Sequence, residues 1–376
     1  MSEPLLPGAT LGILGGGQLG RMFTIAARTM GYRVIVLDPD AASPAGQLAD
    51  LHLQADYLDH GALRQLGAAC AAVTTEFENV PAESLIELAR HCRVSPGAGA
   101  VAIVQDRSRE KTWLAQHDFP TAPFALVNDA ADIPAACAKT GLPALLKVAR
   151  LGYDGKGQFP VATAEDAGRA FATLGGQPCV LEGYLALERE VSVVLGRDDA
   201  GRCTLFPVAE NRHAGGILDV SIVPARVAAN LAESACGMAR AVADRLDYVG
   251  VLAVEFFVTR QGDLLVNEIA PRPHNSGHYT LDACVTDQFE QQVRMLAGLP
   301  AGDTRLLSPV VMVNILGDRW SNGGPHWERL LAHGNVKLHL YGKQAARAGR
   351  KMGHFNVLDA ELTGALALAE ELRGVL

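Results

Sequence analysis

The sequence predicts a mixed α/β and α+β protein, in which a small parallel sheet precedes a longer region of antiparallel strands. Three observations predict this class. In the first hundred residues, short apolar runs alternate with amphipathic segments, which is typical of a parallel sheet with crossover helices. From about residue 107 to 270, the apolar runs follow one another with turn residues between them, which is typical of antiparallel strands. The chain of 376 residues is also longer than one ordinary hydrophobic core accommodates, so two or three domains are expected.

Composition and charge restrict the class of protein. The formal net charge is −8 without a basic block, so nucleic acid is not an expected partner. No apolar run reaches the length of a membrane span, and the first ten residues lack a signal-peptide pattern. The seven cysteines are scattered without a C-x-x-C pair. We therefore expect reduced thiols in a cytoplasmic enzyme, with neither a disulfide framework nor a zinc site.

The first element is "TLGILGGGQLGRMFTIAARTMGYRVIVLD", residues 10–38. Gly15, Gly17 and Gly20 form a G-x-G-x-x-G between a predicted strand and a predicted helix, and the second strand ends in Asp38. This is the dinucleotide-binding fingerprint, so an NAD-dependent oxidoreductase is one interpretation. The next segments, "CAAVTTEFENV" and "PAESLIELARHC", predict a strand with its exit loop and a helix that begins near Pro81.

The second region begins with a predicted helix in "RSREKTWLAQH". Its predicted strands are "PALLKVA", "CVLEGYL", "REVSVVLG", "SIVPARV", "GVLAVEFFVT" and "DLLVNEIA", with one helix, "LAESACGMARAVADRL", among them. The tail from about residue 301 adds the strand "PVVMVNILG" and the helix "ALALAEEL".

Two glutamates on the last pair of these strands predict a metal site. If the hairpin is symmetric about Gln261 and Gly262, Glu255 lies directly opposite Glu268. Opposed like charges among apolar neighbours destabilise a sheet unless a cation lies between them. Carboxylate oxygens are magnesium ligands, usually together with nucleotide phosphates. The alternative is that one strand is an edge and one glutamate faces water.

Other residues of the second region predict a nucleotide site. Lys147 lies in an apolar strand and needs an anion. Gly152, Gly155 and Gly157 follow in a loop whose backbone N–H groups would suit phosphates, although a glycine-rich hairpin turn is the alternative. The strand that contains Glu182 offers a backbone edge to an adenine, and Glu190 offers a carboxylate to a ribose, unless it is simply solvated.

This order of lysine, glycine loop, strand edge and paired glutamates resembles the ATP-grasp superfamily. Six segments resemble one of its families, the N5-carboxyaminoimidazole ribonucleotide synthetases: "GILGGGQLGRM", "TTEFENVP", "GYDGKGQ", "ENRHAGGILDVSIVPA", "NEIAPRPHNSGHYT" and "YGKQAARAGRKMGH". They span residues 12–354 in the order of that family. The resemblance implies that ATP phosphorylates bicarbonate to carboxyphosphate, and that the amine of aminoimidazole ribonucleotide then accepts the carboxyl group.

The resemblance also implies an architecture and partners. It implies a Rossmann-like domain over residues 1–106, an ATP-grasp domain over 107–300 and a C-terminal domain over 301–376. ATP is then bound in the ATP-grasp domain with Mg²⁺ or Mn²⁺, and the glycine loop of the first domain lines the ribonucleotide site. There its helix N-terminus would suit an anion such as a ribose phosphate. The expected state is a cytoplasmic homodimer without membrane or nucleic-acid partners.

Site residues follow from the resemblance. The residues expected to contact ATP are Lys111, Lys147, Gly152, Gly155, Gly157, Glu182, Gly183, Tyr184, Leu185, Glu190, Asn267 and Glu268. The expected metal ligands are Glu255 and Glu268. The residues expected in catalysis are Lys156, His213, Arg272, His274 and Asn275. The residues expected to contact the ribonucleotide are Gly17, Gln18, Glu76, Tyr153, Asp154, Lys343 and Arg350, with its 5′-phosphate on the last two.

Some features leave alternatives open. Leu151 stands where the family commonly has a small residue, which puts closure of the glycine loop in question. His274 and His278 are spaced as a helix face or a zinc pair, and residues 343–351 also fit a solvated basic loop. The rival functions are a formate-dependent glycinamide ribonucleotide transformylase, a non-catalytic nucleotide-binding protein and the NAD-dependent oxidoreductase.

Overall fold

The first sheet is parallel, as the sequence predicts. The computed structural model describes residues 3–152, 156–321 and 324–376. The first elements are β1 (Thr10–Leu14), α1 (Gln18–Thr29), β2 (Arg33–Leu37), β3 (Leu51–Leu53), α2 (His60–Ala69), β4 (Ala72–Thr75), α3 (Ala82–Leu88), β5 (Arg93–Val94) and α4 (Ala98–Val104). The five strands lie side by side in the order β3–β2–β1–β4–β5. Helices α2, α3 and α4 pack on one face of this sheet.

A small antiparallel sheet follows. Its region contains α5 (Arg107–Gln116), β6 (Phe124–Val127), α6 (Ile133–Thr140), β7 (Ala144–Val148), β8 (Gln158–Val161), α7 (Ala164–Thr173) and β9 (Cys179–Gly183). The strand order is β6–β9–β7–β8. Helices α6 and α7 bury their apolar side chains against this sheet.

A large sheet contains most of the remaining chain. Its strands are β10 (Leu187–Arg197), β11 (Cys203–Leu205), β12 (Ala209–Ala214), β13 (Ile217–Val223), β14 (Gly250–Thr259), β15 (Leu264–Ala270), β16 (Val310–Leu316), β17 (Val336–Leu340) and β18 (Lys351–Leu358). The helices of this part are α8 (Ala229–Arg245), α9 (Thr280–Ala283), α10 (Gln288–Ala297), α11 (Trp327–Leu331) and α12 (Leu362–Val375). The strand order is β15–β14–β10–β12–β13–β16–β18–β17, and β11 pairs with β10.

The packing of these layers positions the site. Helix α8 covers β10 and β14 together with α4 and α5. Helix α10 packs with α1 on the second face of the first sheet. The large sheet continues without a break from β13 into β16, which pair antiparallel. The division of the chain at residues 106 and 300 stays a prediction.

Within the described ranges, none of the helices combines the length and the apolar character that crossing a membrane requires.

Candidate functional site

Glu255 on β14 and Glu268 on β15 are paired across the hairpin, as the sequence predicts. The symmetric register behind that prediction was wrong. Near the turn, Phe256 pairs with Val266, and the register shifts by one residue before it reaches the glutamates. The extra residue is Asn267, so a β-bulge restores the expected pairing.

Helix α5 holds the bulge in place. The Lys111 ammonium donates to the Asn267 carbonyl at 2.8 Å, and the Ile269 N–H donates to the Glu110 carboxylate at 2.6 Å. Lys111 has no exposed surface, so in this conformation it does not meet a phosphate of ATP, contrary to the sequence-based expectation. A lysine on a helix reaches backbone carbonyls as readily as ligands, and here the bulge supplies the carbonyl.

Three cationic side chains surround the Glu182 carboxylate between the two antiparallel sheets. Its carboxylate lies 2.9 Å from Lys147, 3.6 Å from Lys111 and 3.8 Å from Arg107. Burial alone would raise the pKa of Glu182, but the three cations outweigh it and lower the pKa to about 2. Arg107 also lies 3.2 Å from Glu268, so it joins the small sheet to the hairpin of β14 and β15. The site therefore offers concentrated positive charge beside a carboxylate pair.

The pKa values of the two glutamates of the hairpin shift in opposite directions. Burial, and then the Glu268 carboxylate, raise the pKa of Glu255 to about 7. Burial opposes ionisation of Glu268 too, but Arg107 and then Lys147 hold its pKa below the ordinary value. A cation bound near Glu255 would favour its ionised form and reduce this difference in pKa between the two glutamates.

The donor set fits magnesium. Both carboxylates are hard oxygen ligands, and the buried Asn267 Oδ1 has no hydrogen-bond partner within the described part of the chain. In that same part, no three His, Cys, Asp or Glu side chains converge as a metal site. Magnesium needs fewer protein ligands than that, because phosphates and water complete its shell. Because no such group of three exists among the described residues, His274 and His278 do not belong to a zinc site there.

The segment after β15 returns its polar side chains to this site. Arg272 forms an ion pair with Glu78 and also donates to the Pro273 carbonyl at 3.1 Å. His274 Nε2 lies 3.3 Å from Glu255 Oε1. Burial, and then Arg272, hold the pKa of His274 well below its ordinary range, so this imidazole is neutral.

Asn275, which the resemblance places among the catalytic residues, is bonded inside the protein. Its amide donates to Asn314 Oδ1 at 3.1 Å and accepts from Asn314 Nδ2 at 2.6 Å. Both groups of the buried side chain are therefore used inside the protein, and Asn275 tethers the segment to β16.

His213 on β12 and Glu190 on β10 lie together, although His213 is expected in catalysis and Glu190 on ATP. Glu190 Oε2 is 3.1 Å from His213 Nδ1. Burial lowers the pKa of His213, but the contact with Glu190 outweighs it and the pKa is raised.

The expected adenine strand ends early, because β9 stops at Gly183. The N–H groups of Gly183 and Tyr184 donate to the carbonyls of Pro123 and Pro143. The Tyr184 side chain is 63% exposed, and Leu185 follows it outside the strand.

The glycine loop after β7 is described only in part. Gly152 and Gly157 flank it, Gly157 with a φ of +74°, and Lys156 is exposed. Tyr153, Asp154 and Gly155 lie outside the described residues.

Side chains of the protein itself cap the helix that follows the N-terminal glycine loop. Glu76 accepts hydrogen bonds from the N–H groups of Gly17 and Leu19, and Asp38 accepts from Gly16 N–H and the Tyr57 hydroxyl. An internal carboxylate thus occupies the place expected for a ribose phosphate. The same contacts remove the pyrophosphate site and the ribose ligand that an NAD-binding loop needs.

Gln18, the first residue of α1, contacts the C-terminal loop, which is residues 341–350 between β17 and β18. Its amide lies 3.1 Å from the Lys343 ammonium and 2.9 Å from His278 Nε2. The Arg350 guanidinium instead donates to the Ala345 carbonyl at 2.9 Å, within its own loop.

Sequence reasoning missed several residues of this site. Arg107 and Glu78 are charged residues in polar segments, and such residues are usually expected to be exposed to solvent. The signal that was available is the placement of Arg107 as the first residue of α5, directly after the capping Asp106. Glu110 gave no signal in the sequence, because its partner, Ile269, lies far along the chain.

Comparison with known proteins agrees with this geometry. Family models match in three places: a ribonucleotide synthetase preATP-grasp domain at residues 8–105, an ATP-grasp domain at 112–289, and a phosphoribosylaminoimidazole carboxylase C-terminal domain at 310–367. The N5-carboxyaminoimidazole ribonucleotide synthase of Brucella melitensis is 47% identical over 93% of this chain and 96% of its own length. The Bacillus subtilis enzyme of the same name is 44% identical over 95% and 94%.

Solved structures agree as well. The ADP complex of an N5-carboxyaminoimidazole ribonucleotide synthetase has a TM-score of 0.94 at 43% identity, over 99% of this chain and 98% of that one. The Aspergillus clavatus N5-carboxyaminoimidazole synthase, in complex with ADP and 5-aminoimidazole ribonucleotide, has a TM-score of 0.90 at 31% identity, over 98% of both chains. With its paired glutamates, cation cluster and three matching domain models, the chain belongs to the N5-carboxyaminoimidazole ribonucleotide synthase family of ATP-grasp enzymes.

Proposed function

We propose that this protein carboxylates 5-aminoimidazole ribonucleotide at the expense of ATP. Bicarbonate and ATP form carboxyphosphate and ADP, and the exocyclic amine then takes the carboxyl group and releases phosphate. The product is N5-carboxyaminoimidazole ribonucleotide, an intermediate of purine biosynthesis. The observation that carries this proposal is the Glu255–Glu268 pair held beside Arg107 and Lys147, in a chain 47% identical to a synthase of that name.

The protein contributes mainly position and charge. Phosphoryl transfer needs little covalent work from the enzyme, so catalysis depends on neutralising the polyphosphate and orienting the groups that react. Lys147 and Arg107 supply positive charge for the phosphates. Glu255, Glu268 and the Asn267 oxygen would hold Mg²⁺, with Mn²⁺ as a substitute. When bound, the ion neutralises charge that develops on the transferred phosphoryl group.

Arg272 and His274 are proposed to hold bicarbonate and carboxyphosphate. The His274 Nδ1 accepts from the Ser276 N–H at 3.3 Å, which assigns the ring proton to Nε2 on the side of Glu255. A neutral imidazole with that proton donates to an anionic oxygen without adding charge. Arg272 supplies the charge through its planar fork of donors.

The ribonucleotide is proposed to bind between the N-terminal domain and the C-terminal loop. Gln18, Glu76 and Lys343 lie there, and His213 lies beside Glu190. The remaining contacts proposed from the family motif are Gly17, Tyr153, Asp154, Lys156 and Arg350. The enzyme is further proposed to be a cytoplasmic homodimer. Size-exclusion chromatography with light scattering measures the molar mass and so tests the dimer.

The experiment measures ADP release from purified protein with ATP, magnesium and bicarbonate, with and without 5-aminoimidazole ribonucleotide. We expect release that depends on the ribonucleotide and is lost in Glu268→Gln. Glu165→Gln, at an exposed position of α7, is the matched control and retains activity. Release that requires formate and glycinamide ribonucleotide instead would point to the transformylase. No ADP release, together with a change in NADH fluorescence on addition of the protein, would instead support the NAD-dependent oxidoreductase.

A further inference from the structure

Four polar side chains form a continuous chain of contacts behind the proposed ribonucleotide site. The Lys343 ammonium lies 3.1 Å from the Gln18 amide, which lies 2.9 Å from His278 Nε2. The other ring nitrogen, His278 Nδ1, lies 2.9 Å from the Gln288 Nε2. His278 and Gln288 have no exposed surface, so water does not mediate at that end.

The orientation of Gln288 is fixed by the backbone. The His274 N–H donates to Gln288 Oε1 at 2.9 Å, and Gln288 Nε2 donates to the His274 carbonyl at 2.8 Å. Because both ends of this amide are assigned, the group that faces His278 Nδ1 is an NH₂ donor. His278 Nδ1 is therefore an acceptor, and a neutral ring carries its proton on Nε2. Burial, and then His274, hold the pKa of His278 well below its ordinary range, which keeps the ring neutral.

The chain contains one donor too many. Its two ends, the Lys343 ammonium and the Gln288 amide nitrogen, are donors only. Gln18 and neutral His278 each supply one donor and one acceptor to the three contacts, so one contact must bring two donors together. With the proton of His278 on Nε2, the Gln18 carbonyl oxygen faces His278 and the Gln18 NH₂ faces Lys343. The oxygen and nitrogen of a glutamine amide are assigned by such networks.

We propose that His278 is a positioning residue of the ribonucleotide site. Its Nε2–H holds the Gln18 carbonyl, so that the Gln18 NH₂ and the Lys343 ammonium converge on one acceptor, an oxygen of the substrate phosphate. This inference rests on the proposed function, because it assumes that the acceptor substrate is a ribonucleotide.

The tautomer of His278 tests the orientation without any assay of activity. We would label histidine with ¹⁵N, record long-range ¹H–¹⁵N spectra of the full-length protein, and assign His278 by its loss in His278→Gln. The expected result is a proton on Nε2. A proton on Nδ1 would overturn the proposal, because the Gln18 carbonyl would then face Lys343.

Kinetics of two variants test the consequence for binding. A glutamine at position 278 extends to the place of Nε2 and can donate to Gln18, whereas an asparagine extends only to the place of Nδ1. We expect His278→Asn to raise the KM for the ribonucleotide about tenfold, as expected for one lost hydrogen bond. Its kcat and its KM for ATP stay unchanged, and His278→Gln restores the ribonucleotide KM.

A probe that carries the phosphate without the base completes the test. We expect the inhibition constant of ribose 5-phosphate to rise in His278→Asn by the same factor as the KM. An unchanged inhibition constant, equal effects of both variants, or a loss confined to kcat would overturn the proposal. If His278→Asn does not fold, Gln18→Met serves in its place with the same expectation. Wild-type protein without ribonucleotide-dependent ADP release would instead count against the proposed function, while the tautomer still tests the geometry.

Discussion

The Glu182 carboxylate lies 2.9 Å from the Lys147 ammonium, at the point where three cations surround one buried anion. Replacing Glu182 with Gln removes the carboxylate that Lys111 and Lys147 share, whereas Arg107 keeps its contact with Glu268. We expect Glu182→Gln to lower the free energy of unfolding by about 3–5 kcal/mol in the absence of ATP. Urea unfolding measures this, with the exposed Glu165→Gln as the control. A midpoint like that of the wild type would contradict the charge balance described here.

The same carboxylate predicts a pH dependence. The pKa of Glu182 is about 2 in the folded protein against an ordinary 4.5, so the unfolded chain binds the proton more tightly. Its contribution to stability is therefore complete above pH 4.5 and is lost as the pH falls toward 2. We expect the difference in unfolding free energy between wild type and Glu182→Gln to be larger at about pH 5 than at about pH 3. A difference that is constant over this range would show that ionisation of Glu182 is not its source.

Substitutions of Lys111 and Lys147 are expected to affect different properties of the protein. Lys111 has no exposed surface and bonds the bulge carbonyl, whereas the Lys147 side chain keeps 10% of its surface exposed. We expect Lys147→Met to raise the KM for ATP about tenfold or more, because a charge-assisted contact is lost. Lys111→Met should mainly lower the midpoint of urea unfolding. Equal increases in the ATP KM for both variants would restore Lys111 as a phosphate contact.

Leu151 carries a backbone conformation that disfavours leucine. Its φ is +62°, and its side chain is 69% exposed. Asparagine tolerates this left-handed region better, so we expect Leu151→Asn to raise the free energy of unfolding by about 0.5–1 kcal/mol. Leu307, which is 57% exposed and has no positive φ, is the matched control, and Leu307→Asn should have no comparable effect. Equal changes in the two variants would assign the gain to lost apolar surface.

Local signals predicted the elements of the fold and the pairing of the two glutamates. The turn at Gly262 and the apolar runs on either side are neighbours in sequence, so the pairing of Glu255 with Glu268 was accessible. The bulge at Asn267 was not, because the side chain that holds its carbonyl, Lys111, lies 156 residues away. Register between strands depends on such distant contacts as well as on the turn.

The N-terminal loop shows the limit of a motif. The glycine spacing correctly predicted a strand, a tight turn and a helix, since those are properties of the loop itself. What binds at the helix N-terminus is set by Glu76, a residue 59 positions after Gly17. The family resemblance corrected the NAD interpretation, and the structure supplies its physical reason.

The unbroken large sheet has a consequence for the nascent chain. Until residues 310–316 have been synthesised, β13 has unpaired N–H and C=O groups along the side where β16 later pairs. An open strand of buried residues is a template for pairing with other chains. The last segment is therefore expected to protect its predecessors from aggregation, and a protein shortened to residues 1–300 is expected to precipitate rather than to persist as a smaller ATPase.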